Sequence, residues 1–119
     1  MSRIAPQTPI LAKDVRVRDK KHLACIAQLP CIICLSKPVE CAHIRMSGEG
    51  KGYTGKATKP SDMWTLPLCP SCHRTGPDAQ HRMNERDWWE QHGIDPIQLC
   101  RALYSVSGDL EAMERLIRP

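Results

Sequence analysis

Along "DVRVRDKKHLACIAQL", Val15, Leu23, Ile26 and Ala27 recur at roughly helical spacing while Arg18, Lys20 and Lys21 take the polar side. The pattern predicts a helix that Pro30 ends. Residues 1–12 before it carry Pro6 and Pro9 without a period and read as an extended arm. "PVECAHIRM", short and β-branched, reads as a strand, and "DMWTLPLC" as a second. Between them "SGEGKGYTGKATKPS" holds four glycines and three lysines and no hydrophobic period, so it reads as an exposed, flexible connection in a long-looped hairpin.

Past Cys72 the chain is expected to turn helical, with "TGP" as an interruption, and "MNERDWWEQHG" continues as a helix stopped at Gly93. Asp95 as N-cap and Pro96 at the first helical position open another helix, whose apolar stripe is Ile97, Leu99, Cys100, Leu103 and Tyr104. "GDLEAMERLIR" repeats the stripe with Leu110, Met113, Leu116 and Ile117, which makes residues 95–118 a helical pair. Strands followed by helices give an α+β fold class, with one domain over 13–119.

Composition sharpens this in two ways. Aromatic residues make up 4% of the 119 residues and Phe is absent, so metal ligation is a natural substitute for large core side chains. Charge is uneven: residues 1–60 carry eleven Lys or Arg against four acids, while residues 61–119 carry six against nine. A basic first half suits a polyanion such as nucleic acid, as well as a plain solvated surface. No apolar stretch at the N-terminus is long enough for a signal peptide, and no run of about twenty apolar residues could span a membrane. The expected setting is the cytoplasm, where paired cysteines are more often metal ligands than disulfides.

Cys31 with Cys34, and Cys69 with Cys72, form two Cys-x-x-Cys units. Each two-residue gap lets a tight turn aim both thiolates at one ion, and two such turns complete a tetrahedron around Zn²⁺. The 34 residues between them exceed ordinary ribbon spacing, but a hairpin would close the gap. A redox pair and an iron-sulfur cluster are the competing uses. Cys25 and Cys100 fall on apolar helix faces as small core residues, and Cys41 shares a strand face with His43, where it is open to replacing or supporting a ligand.

Four cysteines saturate one zinc, which leaves His43, His73 and His81 for other work. His22 and His92 read as surface or hydrogen-bonded core residues. At "CIIC", "ECAHI" and "LPLCPSCH", in that order over residues 31–81, the chain resembles the HNH nucleases, whose ββα-metal (His-Me finger) motif is a hairpin followed by a helix. "LPC" before this stretch and "WWEQHGIDP" after it are similar to phage-encoded HNH proteins, including the Ref-like recombination nucleases.

The resemblance implies a zinc-stapled nuclease core over 31–92, flanked by an N-terminal helix and the C-terminal pair. It implies His43 as general base, and His73 and His81 as ligands of a second ion, Mg²⁺ or Mn²⁺, that acts on the phosphate. It also implies a setting in phage DNA recombination or replication, with a protein partner from that setting. Ala42 stands where the family commonly has a metal-binding Asp or His. The family's base-orienting Asn falls near Trp64, with Asp62 or Thr65 as substitutes. Helix ligands in that family are three or four residues apart, whereas His73 and His81 are eight apart. In an unbroken helix that separates them by about 12 Å along the axis, so "RTGPDAQ" must break it.

Arg45, Lys51, Lys56 and Lys59 surround the expected hairpin as candidate phosphate contacts, and Tyr53 could stack on a base of double- or single-stranded DNA. Arg74 and Arg82, beside the histidines, are candidates to hold the scissile phosphate. Trp88 and Trp89 read as core or lid residues. The alternative function is a zinc-stapled module with a decayed site, which binds nucleic acid or protein without cleaving it.

Overall fold

The computed structural model describes residues 16–54 and 60–118; the expected arm over 1–12 and the candidate contacts Lys56 and Lys59 lie outside the described residues. Helix α1 (Lys20–Ile26) leads into the first cysteine pair, strands β1 (Glu40–His43) and β2 (Thr65–Leu68) form an antiparallel hairpin, and a π-helical turn (Ser71–Thr75) follows the second pair. A 3-10 turn (Gln80–Arg82) precedes α2 (Glu85–Gln91), α3 (Pro96–Ser105) and α4 (Leu110–Ile117). The architecture is α+β, and none of the described helices is long and apolar enough to cross a membrane.

The hairpin pairs Glu40 with Leu68, Cys41 with Pro67, Ala42 with Leu66 and His43 with Thr65. All four β2 residues are buried because α1 and α3 both pack on the strand. This is why "TLPL" carries no polar alternation: a strand covered on both faces reads as a continuous apolar run. Around it Ile26, Leu29, Ile44, Leu66, Leu68, Trp88, Trp89, Leu103 and Met113 are almost fully buried. The two tryptophans therefore supply much of the large side-chain volume that an aromatic-poor chain has available.

Capping follows the sequence closely at the C-terminal side. Asp95 accepts from the backbone N–H of Ile97 and Gln98 ahead of Pro96, Asn84 caps α2, Asp109 caps α4, and Gly93, at φ +68°, ends α2. Residues 16–19, inside the expected helical stretch, are however not helical, and the first helix starts at Lys20. Asp19 accepts from the His22 N–H as its N-cap, and the preceding residues lie along Pro60–Asp62. There the Val17 N–H donates to Ser61 Oγ at 2.9 Å and the Asp62 N–H to the Val17 carbonyl at 2.8 Å. Those long-range bonds, together with a good cap, outcompete further helical turns. Tyr104, assigned by periodicity to the apolar stripe of α3, uses its hydroxyl to donate to Asp19 at 2.8 Å.

In the described part of the connection after β1, residues 44–54, backbone hydrogen bonds tie the loop down. Gly48 and Lys51 exchange two backbone hydrogen bonds of 2.9 Å, and the Glu85 carboxylate accepts from the N–H groups of Arg45 and Met46. Lys51, expected on the surface as a phosphate contact, is instead only 9% exposed. Its ammonium donates to the carbonyls of Met46 and Gly52 at 2.9 and 3.0 Å and lies 5.8 Å from the Trp64 ring centre. Burial lowers its hold on the proton, and the nearby Glu85 charge works the other way. A buried ammonium needs acceptors, and the loop backbone curls around to provide them. Lys51→Met, which strands two carbonyls, should lower unfolding stability by about 1–3 kcal/mol in urea titration, whereas a solvated lysine would leave it unchanged.

Candidate functional site

The two cysteine pairs are brought together by the hairpin that separates them. In the first, the Leu35 N–H closes on the Cys31 carbonyl at 2.8 Å with Leu35 at φ +64°, and the Cys31 N–H donates to the Ser36 carbonyl. The Ile32 N–H donates to the Pro67 carbonyl, which anchors this turn to β2. In the second, which directly follows β2, the Cys72 N–H points at Cys69 Sγ at 3.5 Å. All four sulfurs lie within 4.8 Å of one another, with Cys34 at 3.6 Å from Cys69 and 3.9 Å from Cys72. Tetrahedral zinc with bonds of about 2.3 Å needs sulfurs about 3.8 Å apart, so this group could hold a metal ion such as zinc.

The thiols respond unequally to their surroundings. Burial weighs against a charged Cys69, but hydrogen bonds from the Cys72 N–H, Ser36 and the Cys34 and Cys72 thiols outweigh it and bring the group down to about 6. Burial pushes Cys31 and Cys72 up. A cation among the four would offset that cost at once. Cys41 is outside the group, donating to the Leu23 carbonyl at 3.5 Å; Cys100 is buried and donates to the Thr65 carbonyl, and Cys25 packs against the core. None of the seven cysteines is in a disulfide.

At the far end of β1, His43 Nε2 lies 3.1 Å from Asp62 Oδ1. Asp62 is 2% exposed, and its carboxylate also takes the Arg16 guanidinium at 3.1 Å and the Asp19 N–H at 2.7 Å. Burial works against its charge, yet the Asp19 N–H, His43 and Arg16 together hold it below the usual carboxylate range. An ionised carboxylate only accepts, so His43 carries its hydrogen on Nε2 and Nδ1 is its basic nitrogen. Thr65, the other expected substitute for an orienting Asn, donates its hydroxyl to the Asp62 carbonyl at 2.8 Å. Trp64 faces the cations of Lys51 and Arg101.

His73 and His81 do come together, with ring centres 4.4 Å apart and planes at 64°. The π-helical turn ends when the Gly76 N–H closes on the Ser71 carbonyl at 2.9 Å. A Cβ at Gly76 would sit 2.7 Å from that carbonyl oxygen, so the break relies on glycine. The inserted loop is pinned by the Trp88 indole, which donates to the Asp78 carbonyl at 2.8 Å, and the 3-10 turn then returns His81. Rings bound through nitrogen to one ion at about 2.1 Å have centres within about 6.5 Å, and the separation of this pair is inside that limit.

Glu40 is the member of this site that sequence reasoning missed. Its Oε1 is 2.7 Å from His73 Nδ1, and Arg74 grips both oxygens, with Nη2 to Oε2 at 2.6 Å and Nε to Oε1 at 3.0 Å. Arg74, the stronger influence, and then His73 hold Glu40 down to about 2 against partial burial. Period two along β1 could have found it, because Glu40 and Ala42 share a strand face. Arg74 is thus committed to a carboxylate where a phosphate was expected. Arg82 reaches the Thr75 carbonyl at 3.5 Å, Tyr53 is 72% exposed, and Arg45 is half-buried with its N–H on Glu85.

A family model described as a protein of unknown function (DUF968) matches residues 5–107. No curated protein and no solved structure matches significantly. Metal analysis should find one tightly held ion per chain. Cys69→Ala should lose the ion and melt at a lower temperature, whereas Cys25→Ala should retain it; retention by Cys69→Ala would exclude the four-sulfur site.

Proposed function

The chain belongs to the DUF968 family, and we propose that it is a metal-dependent DNA endonuclease of the HNH type, stapled by a structural zinc. The observation that carries this reading is that the hairpin and the two turns after it bear imidazoles suited to different work: His43 on β1, paired with buried Asp62, and His73 in the π-helical turn beside His81 in the 3-10 turn. In this reading, residues 31–92 form the ββα-metal core, with Cys31, Cys34, Cys69 and Cys72 holding zinc.

The phosphodiester would be attacked by water whose proton passes to His43 Nδ1. Asp62 holds the ring and stabilises the imidazolium that forms, an arrangement that outlasts the transfer because Asp62 is itself fixed by Arg16 and the Asp19 N–H. His73 and His81 would hold Mg²⁺ or Mn²⁺, which supplies charge stabilisation to the phosphate and the leaving 3′ oxygen. The products would be 5′-phosphate and 3′-hydroxyl ends. Among the described candidates for DNA contact Tyr53, Arg74 and Arg82 are exposed; Arg74 is tied to Glu40, and Tyr53 and Arg82 would make the contact. A place in phage DNA recombination or processing is the setting the HNH resemblance suggests.

Ala42 favours a second reading, a zinc-stapled binding module that has lost cleavage, because its buried methyl group offers no ligand at a position where the family commonly has one. Plasmid and single-stranded DNA incubated with the protein in Mg²⁺ or Mn²⁺ separate the two. The nuclease reading expects nicking that falls by about 10²–10⁴-fold in His43→Ala. Equal nicking by both proteins would remove His43 as base, and DNA retained without cleavage by the wild type would favour the binding module.

A further inference from the structure

Beside the His73–His81 pair lies a carboxylate to which the proposed reaction gives no role. Glu40 opens β1, touches His73 and Arg74 together, and is absent from the four-sulfur group. We propose that Glu40 is a positioning residue: it fixes His73 with its hydrogen on Nδ1, so that Nε2 carries the lone pair offered to the second divalent ion, and Arg74 clamps Glu40 in place. The role toward an ion rests on the nuclease reading, whereas the tautomer does not.

The assignment follows from donors and acceptors. Arg74 donates to both oxygens of Glu40, which makes them acceptors, so the 2.7 Å contact places the hydrogen on His73 Nδ1. A neutral imidazole in water prefers the opposite tautomer, so without Glu40 the nitrogen needed by the ion would more often be protonated. Arg74 occupies both carboxylate oxygens, which leaves Glu40 suited to orient a ligand and poorly suited to become one. Carboxylate–histidine–metal triads work in this way, the carboxylate fixing ring and tautomer from outside the coordination sphere. The need is greater here because Ala42, on the same strand face as Glu40, brings no ligand of its own. With two imidazoles as the protein's donors, a misplaced hydrogen on one removes half of them.

Long-range ¹H–¹⁵N spectra of the full chain without added divalent ion read the tautomer directly. The wild type should show His73 protonated on Nδ1, and Glu40→Ala should shift it toward Nε2. Mn²⁺ titration followed by electron paramagnetic resonance reads the ion: Glu40→Ala should weaken binding by about 10–100-fold, and Arg74→Met by less. The four-cysteine ion, measured by metal analysis, should stay at the wild-type level in both variants and report an intact fold. Glu40→Gln, whose carbonyl can still accept from Nδ1–H, should fall between wild type and Glu40→Ala. Should the wild type carry the hydrogen on Nε2, or should Mn²⁺ bind equally to wild type and Glu40→Ala, the proposal fails while the second-ion reading stands. If the tautomer shifts as expected but the wild type takes up no Mn²⁺, the second-ion reading itself fails, and Glu40's role toward an ion with it.

Discussion

The gathering of four sulfurs within 4.8 Å is the constraint on which the rest depends. Cys31 and Cys34 precede β1, and Cys69 and Cys72 follow β2, so bringing the pairs together closes the hairpin at its open end. The register that results sets His43 opposite Thr65 and Glu40 opposite Leu68. A two-stranded hairpin is marginal on its own. Here it is held at one end by the sulfur cluster and covered by α1 and α3. The unequal thiols, Cys69 near 6 and both Cys31 and Cys72 pushed up by burial, make the cluster a costly arrangement for bare thiols and a suitable one for a cation.

From that frame the two ends of β1 present the same pairing with opposite polarity. Asp62 takes the Nε2 hydrogen of His43 and leaves Nδ1 basic; Glu40 takes the Nδ1 hydrogen of His73 and leaves Nε2 with the lone pair. In each case an arginine steadies the carboxylate, Arg16 at Asp62 and Arg74 at Glu40. Arg74 first, then His73, holds Glu40 down, whereas at Asp62 the Asp19 N–H and His43 come ahead of Arg16; each carboxylate, accepting, sets which imidazole nitrogen of its partner carries the hydrogen.

Much of this was legible because it is local. Cysteine spacing announced the sulfur cluster, Asp95-Pro96 announced α3, and the mismatch of eight residues between His73 and His81 announced a break that Gly76 makes. What was not legible depends on partners far along the chain. Lys51 is indistinguishable by composition from a solvated lysine until the loop folds its carbonyls around the ammonium. Arg74 reads as a phosphate ligand only while Glu40, 34 residues earlier, is out of view. Asp62 was one of two equivalent substitutes until Thr65 turned its hydroxyl to the Asp62 carbonyl.

The support of Asp62 also redraws the boundary suggested by the motifs. The cysteine-bounded stretch begins at Cys31, yet Asp62, which contacts His43, is held by Arg16 and the Asp19 N–H, both before α1. Asp19 is in turn fixed from two sides, by the His22 N–H as the helix N-cap and by the Tyr104 hydroxyl from α3. His22 below it is fully buried and bonded through Nδ1 to Ser107. A carboxylate buried this deeply must have its partners in place before it can remain charged. The first helix and the C-terminal helices are thus part of how the imidazole is held, and the hydrogen-bond network around Asp62 extends beyond the cysteine-bounded core to Arg16 at one end and Ser107 at the other.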